Sequence, residues 1–283
     1  MITKKDVLKT LQDLGVKDGD VLLFHSSLKS FGQVENGADT VIDGVLDAVG
    51  KNGTAVVPTL VQKDFANAYK NWDIKNSPSD VGYITETFRK RENAIRSNQA
   101  THSVCAIGKM AEFLTNSHST SKPRLHPYGD YAFSHGSPWQ KMYNLNAKVV
   151  FMGCGLEANT FHHFIEAVYA EEVLSSLPNN TKVEEMKKVL VTFETRDEHT
   201  RQLVAENNGG PTHKLIRFQF GRRRENNVVM DRGLYKSAKC GQSQFLIFNV
   251  KEYVDVFLAH VKEFPQEYYS DDILLWIEKA RNT

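Results

Sequence analysis

Two apolar runs separated by one helix-length amphipathic segment set the fold class of this chain. Residues 20–25 (DVLLFH) form a continuous apolar strand that ends in polar residues. Residues 39–49 (DTVIDGVLDAV) recur at a helical period and stop at the glycine-containing stretch 50–53. Residues 54–60 (TAVVPTL) form a second buried run, and Pro58 marks its end or an irregularity in it. This strand–helix–strand order predicts a right-handed crossover and a parallel pair. A third run, KVVFMGCG at 148–155, reads as a buried strand entering a glycine turn, with a helix over 160–172 behind it.

The remaining chain reads as follows. A short amphipathic helix over 5–14 stops at Gly15. Asn76-Ser77-Pro78-Ser79-Asp80 has the composition of a helix start, and that helix is expected to run to 91. Residues 101–107 (THSVCAI) read as a short strand. The stretch 116–138 is rich in Ser, His, Pro and Gly and has little periodicity; so long an irregular segment inside a compact domain is more often functional than accidental. Residues 188–195 and 214–220 read as strands around a loop containing Asn207-Asn208-Gly209-Gly210-Pro211, and 250–264 and 270–282 as closing helices. With no repeat and no sharp composition shift, the expectation is one domain over 1–283 with an irregular excursion near 196–227.

Charge and cysteine usage exclude several classes. The formal net charge is +1, which provides no global drive toward nucleic acid or an anionic membrane. No apolar run approaches the ~18 residues of a membrane span, and the N-terminal residues lack the apolar core of a signal peptide. Cys105, Cys154 and Cys240 are widely spaced with no CxxC, which argues against a disulfide framework and a thiolate zinc site. A cytoplasmic location is expected.

The segment NTFHHFIE (159–166) carries the strongest chemical signal. Asn159 or Thr160 can cap the helix. His163 and Glu166 lie three residues apart on one helical face, just past the carboxyl end of a strand, where open α/β sheets hold their ligands. A neutral imidazole takes a proton near pH 7, and a neighbouring carboxylate orients it; the alternative is a local His–Glu pair with no chemistry. His102 and Ser103 are sequence neighbours that point to opposite faces of a strand and lack a nucleophile elbow, so they read as pocket-lining or structural residues. His25-Ser26-Ser27-Leu28 closes the first strand, and its hydroxyls and turn N–H groups can hold phosphate or an amide-rich arm. His162, His163 and Glu166 spell HHxxE rather than HExxH; adjacent histidines lie ~100° apart on a helix and do not readily share one ion, so no metal is expected. Arg222-Arg223-Arg224 reads as a solvated turn. Glu194, Asp197 and Glu198 form an acidic cluster that reads as a wet loop or as a surface for a cationic substrate.

These motifs together resemble the aminoglycoside 3-N-acetyltransferase family of antibiotic acetyltransferases, which use acetyl-coenzyme A. The resemblance rests on HSSLKSFG (25–32), Gly53-Thr54 leading into AVVPTL (55–60), SPSDVGYITETFR (77–89), Arg96-Ser97, THSVCAIG (101–108), His118, Gly136-Ser137-Pro138, FMGCG (151–155) and NTFHHFIE (159–166), in family order across most of 15–170. The C-terminal part matches loosely. Gln99-Ala100 stands where the family commonly has His-Pro, and 196–227 has no clear counterpart.

The resemblance implies an α/β fold with a central mixed sheet flanked by helices, unlike the common acetyltransferase fold with a pyrophosphate loop. It implies an acyltransferase with acetyl-coenzyme A as cosubstrate and a small-molecule amine as acceptor: the 3-amino group of a 2-deoxystreptamine aminoglycoside, or a different amine. His163 then falls on the general base and Glu166 on its acidic partner. His25, Ser26, Ser27 and Leu28 fall on the segment meeting the coenzyme arm. His102 and Ser103 fall near the thioester, with hydroxyls of Ser103 or Thr160 available to the oxyanion. Thr160, Glu194 and Asp197 stand on the acceptor side, a carboxylate of 194–198 being a second candidate to orient His163. Neither nucleic acid nor membrane is an expected partner; a homo-oligomer is compatible with the aromatics near the C-terminus. The rival readings are a metal-dependent hydrolase using the histidines and a binding module that has lost catalysis.

Overall fold

The computed structural model describes residues 1–61, 67–178, 217–218 and 228–282. Seven strands make one mixed sheet: β1 (Val21–Ser26), β2 (Thr54–Pro58), β3 (Ile95–Arg96), β4 (Val104–Gly108), β5 (Lys148–Met152), β6 (Lys236–Cys240) and β7 (Ser243–Asn249), in the order β3-β4-β2-β1-β5-β7-β6. The expected parallel pair is present: β1 lies between β2 and β5, parallel to both, with Leu22 opposite Ala55 on one side and Lys148 on the other. β4 and β7 flank this centre antiparallel, and the edge strands β3 and β6 are also antiparallel to their neighbours.

Side chains on a strand alternate between faces, and two cores follow from that alternation. Leu23, Val149 and Phe151 point into one, together with residues of α4 (Ala111–Thr115), α5 (Pro138–Asn144), α6 (Phe161–Ser176), α7 (Val250–Glu263) and α8 (Asp271–Arg281). Leu22, Phe24, Val150 and Met152 point into the other, against α1 (Lys4–Asp13), α2 (Ala38–Val49) and α3 (Tyr83–Arg89). A one-residue slip in register would exchange the two sets.

The parallel strands place one end of each at a common edge. β1 finishes at Ser26, β2 at Pro58 and β5 at Met152. Pro58 has no N–H to give to a neighbouring strand, while Thr59 N–H still meets Ser103 O at 2.8 Å, in register with the β2–β4 pairing. β5 stops at Gly153, whose φ of +71° few side chains tolerate and where a Cβ would lie 1.6 Å from Ser30 Oγ.

The helix expected from 76–80 begins later, at Tyr83. The reason lies in local competition for hydrogen bonds: Asp73 N–H donates to Ser77 Oγ (2.9 Å) and Ser79 N–H to Glu86 Oε2 (2.8 Å). The serine-rich segment therefore straps the helix instead of opening it. The strand expected from 101 starts at Val104. The β6–β7 hairpin was not anticipated; its two-residue connection, Gly241-Gln242, has glycine at φ +59°, a recognisable hairpin signal. The strands expected at 188–195 and 214–220 lie outside the described residues, except for 217 and 218, which are not in a strand. Cys105, Cys154 and Cys240 are free.

Candidate active site

A cleft of about 370 Å³ opens at the carboxyl edge of the parallel strands. β1 contributes His25 and Ser26, the end of β2 contributes Pro58, and the turn after β5 contributes Cys154. His102 enters from the segment before β4; because β4 is antiparallel to β2, its start faces the same edge. Asn159, Thr160 and His163 enter from the start of α6. Phe161 N–H donates to Asn159 Oδ1 at 3.1 Å, so the capping role falls to Asn159, whereas Thr160 makes no side-chain cap bond.

α6 is buried nearly all round, which is why its polar residues sit in the interior. His163 is 7% exposed and Glu166 1%. His163 Nδ1 lies 2.6 Å from Glu166 Oε2, a charge-assisted hydrogen bond in which the ring N–H donates. That bond leaves the basic lone pair of the neutral ring on Nε2. Glu166 Oε1 accepts from Phe218 N–H at 2.9 Å and lies 3.3 Å from His162 Nε2. Burial opposes the charge on Glu166, but His163, His162 and His126 outweigh it and hold its carboxyl well below the usual range. Burial lowers the His163 pKa as well, while Glu166 pushes it back up. The resting pair is a neutral imidazole beside an ionised carboxylate.

The irregular stretch between α4 and α5 closes around this pair. Tyr128 stands edge-on to His163 at 5.2 Å between ring centroids and stacks on His102 at 4.7 Å. Phe133 contacts both His102 (4.9 Å) and His126 (4.8 Å). His126 Nε2 lies 3.6 Å from Glu166 Oε2. The sequence pointed to this stretch as functional without singling out His126, Tyr128 or Phe133; its clustered histidines and aromatics were the available signal. His118, a family-motif position, is structural: Nδ1 meets Ser97 Oγ at 2.9 Å and Nε2 meets Ala132 O at 3.1 Å.

The other expected site residues divide. His25 and Ser26 line the cleft, and both carry buried polar atoms, His25 Nε2 and Ser26 Oγ, with no hydrogen-bond partner. Burial pushes His25 down to about 3, so its ring, stacked on Phe151, is neutral. Ser27 and Leu28 do not line the cleft; Leu28 packs on the core that holds Phe31. Ser103 is fully buried and does not line the cleft; it donates to Thr59 O at 2.9 Å and accepts from Arg96 Nε at 3.2 Å, joining the end of β2 to the start of β4. Gln99 is buried too, accepting from His102 N–H and donating to Tyr69 Oη; it shapes the loop behind His102. Glu194 and Asp197 lie outside the described residues.

His126, His163 and Glu166 bring three ligand-type atoms within 4.8 Å of one another. One hydrogen bond joins this group, between His163 Nδ1 and Glu166 Oε2. His126 Nε2 stands 3.6 Å from the same oxygen. Tyr128 N–H donates to His126 Nδ1 at 3.3 Å, which puts the ring proton on Nε2.

The buried imidazole–carboxylate pair of His163 and Glu166 stands in the wall of the strand-edge cleft. The family described as aminoglycoside 3-N-acetyltransferase matches residues 23–262, well beyond the motifs read from the sequence. The chain belongs to the aminoglycoside 3-N-acetyltransferase family. It is 32% identical over 184 residues to aminoglycoside N(3)-acetyltransferase III of Salmonella sp, covering 59% of this chain and 61% of that protein. It is 29% identical over 184 residues to the SPbeta prophage-derived aminoglycoside N(3')-acetyltransferase-like protein YokD of Bacillus subtilis (strain 168), covering 58% and 64%. The matches thus span about three fifths of these relatives' length. In fold it is similar to the aminoglycoside acetyltransferase AAC(3)-IVa apoenzyme (TM-score 0.67, 21% identity, 94% of this chain and 91% of that one). It is also similar to AAC-IIIb in binary complex with CoASH (TM-score 0.66, 17% identity, 92% and 96%).

Proposed function

We propose that this protein is an acetyl-coenzyme-A-dependent N-acetyltransferase acting on the 3-amino group of a 2-deoxystreptamine aminoglycoside, and so an antibiotic-resistance enzyme. The observation that carries the reading is the 2.6 Å His163 Nδ1–Glu166 Oε2 bond in the wall of the cleft. Family membership supplies the reaction class, and the relatives' names supply the acceptor. The unpartnered polar atoms of His25 and Ser26 fit the amide-rich arm of coenzyme A.

In this mechanism His163 Nε2 removes a proton from the acceptor ammonium, and the freed nitrogen attacks the thioester carbonyl. A C–N bond forms, the C–S bond breaks, and the proton passes from His163 to the departing thiolate; the acylated nitrogen gives its second proton to solvent and becomes the neutral amide. Glu166 fixes the ring tautomer and stabilises the imidazolium while it lasts. The Thr160 hydroxyl, at the cleft wall, is the side-chain donor we assign to the oxyanion, because the Ser103 hydroxyl is engaged by Thr59 and Arg96. Holding donor and acceptor in one ternary complex reduces the entropic part of the barrier. No covalent enzyme intermediate is needed.

We read residues 1–283 as one catalytic domain, since every described strand joins one sheet. A cytoplasmic location fits the acetyl-coenzyme A requirement; no helix among the described residues is long and apolar enough to cross a membrane. The test is release of free thiol from acetyl-coenzyme A over a panel of aminoglycosides and simple amines. Aminoglycoside-dependent release with product acetylated at the 3-amino group is expected. Release with other amines alone moves the acceptor assignment, and no release with any acceptor removes the transferase reading.

A further inference from the structure

His126 has no part in the reaction as described, yet it is completely buried and points at the catalytic carboxylate. Its Nε2 stands 3.6 Å from Glu166 Oε2, the same oxygen that accepts from His163. That distance is inside ion-pair range and beyond a hydrogen bond, so Nε2 has no hydrogen-bond partner. The other ring nitrogen accepts Tyr128 N–H at 3.3 Å, which turns the Nε2 proton toward the carboxylate. Phe133 packs edge-on to the ring at 4.8 Å and fixes its plane.

We propose that His126 is a positioning residue for Glu166: a neutral, buried N–H donor from the loop between α4 and α5 that keeps Oε2 ionised and aimed at His163. A buried carboxylate needs donors to remain charged. Glu166 accepts hydrogen bonds from Phe218 N–H and His163 Nδ1, with His162 Nε2 at 3.3 Å from Oε1 and His126 Nε2 at 3.6 Å from Oε2. Removing a donor from the charged form raises the pH at which the dyad takes up a proton. The dyad faces His162 on its own helix, His102 before β4, His126 in the loop, Arg217, and Tyr269 ahead of α8. Burial pushes His126 itself down to about 4, so it stays a neutral donor across the working range.

The kinetic part of this inference rests on the base role proposed for His163; the spectroscopic part does not. Nitrogen NMR of the full-length wild-type protein reads the His126 tautomer directly. A neutral ring protonated on Nε2 is expected, and a proton on Nδ1 overturns the proposal. His126→Phe removes the donor and keeps a ring; His126→Gln keeps an N–H near the position of Nε2. With folding checked by thermal unfolding, His126→Phe is expected to lower kcat roughly tenfold, the effect of about one pH unit in the titration of the dyad. It should also move the acid limb of the kcat–pH profile to higher pH and shift the downfield His163 Nδ1 proton resonance. His126→Gln is expected to recover most of all three. Should His126→Phe not fold, His126→Leu takes its place. Equal pH limbs and an unchanged His163 resonance in both variants, with loss only in Tm, would show a packing role alone and overturn the proposal. Failure of the wild type to release thiol sinks the function and leaves the tautomer and resonance to decide His126.

Discussion

Glu166 uses its two oxygens for different purposes: Oε2 meets His163 Nδ1 at 2.6 Å, while Oε1 is anchored by Phe218 N–H at 2.9 Å. One oxygen is held by the backbone and the other holds the His163 ring. Glu166 lies one helical turn beyond His163 on a helix whose neighbours exclude water, so the pair is rigid and weakly screened.

Glu166→Gln keeps the shape and removes the charge. The carboxylate raises the His163 pKa against burial, so its loss leaves a weaker base whose tautomer is no longer fixed. A kcat lower by roughly 10² or more is expected, with the acid limb of the pH profile displaced to lower pH, opposite to the displacement expected for His126→Phe. A pH–rate profile of thiol release measures both.

Ser103→Ala tests whether this hydroxyl acts in the interior or on the cofactor. Its hydroxyl joins Arg96 to Thr59 in the interior. Its loss leaves a buried guanidinium short of an acceptor and is expected to cost about 1–3 kcal/mol of stability. The KM for acetyl-coenzyme A should not change. Urea unfolding and steady-state kinetics separate the two outcomes; a raised KM with unaltered stability would restore Ser103 to the cofactor site.

Gly153→Ala adds a Cβ 1.6 Å from Ser30 Oγ at a φ of +71°. Ser30 in turn bonds Ser27 O (2.7 Å) and Ser243 Oγ (3.0 Å), behind the cleft edge at β1. The strained backbone alone costs roughly 1–3 kcal/mol, and the displaced turn should also weaken acetyl-coenzyme A binding. Denaturant midpoints and a thermal-shift titration with acetyl-coenzyme A check this.

Acid should unfold the protein at mildly low pH. Burial lowers His25 and His118 to about 3 and His126 to about 4, from 6.5. Because the folded-state values are depressed, the neutral folded rings contribute fully above pH 6.5. That contribution is lost as pH falls toward 3–4, where the unfolded chain has already bound the protons. Each ring loses on the order of 2 kcal/mol by pH 5. The three act in one direction, against Asp130, whose carboxyl burial raises to about 6 and which therefore favours the folded state as pH falls. Denaturant midpoints at pH 8, 6 and 5 should fall steeply; a flat series contradicts the buried neutral assignment.

The sheet centre and the dyad were legible because each depends on short-range pattern. Apolar runs at 20–25, 54–60 and 148–153 became β1, β2 and β5, and the i,i+3 spacing of His163 and Glu166 became a real bond. Long-range pairing was not legible. Nothing near Ser103 in sequence announces that Thr59, 44 residues away, receives its proton. His126 lies 40 residues before Glu166 in a stretch without period, and only the closed fold brings it to Oε2. The helix start misplaced at 76–80 shows local side-chain bonds overriding a composition signal. The β6–β7 hairpin passed unnoticed because β6 is mostly polar and exposed, as an edge strand can be.

The most direct test of the account is thiol release by His163→Ala at saturating acetyl-coenzyme A and aminoglycoside, with folding confirmed beside the wild type. Loss of a general base predicts a kcat at least ~100-fold lower with little change in acetyl-coenzyme A affinity. Turnover near the wild-type rate would remove His163 from the chemistry, and the proposed mechanism with it.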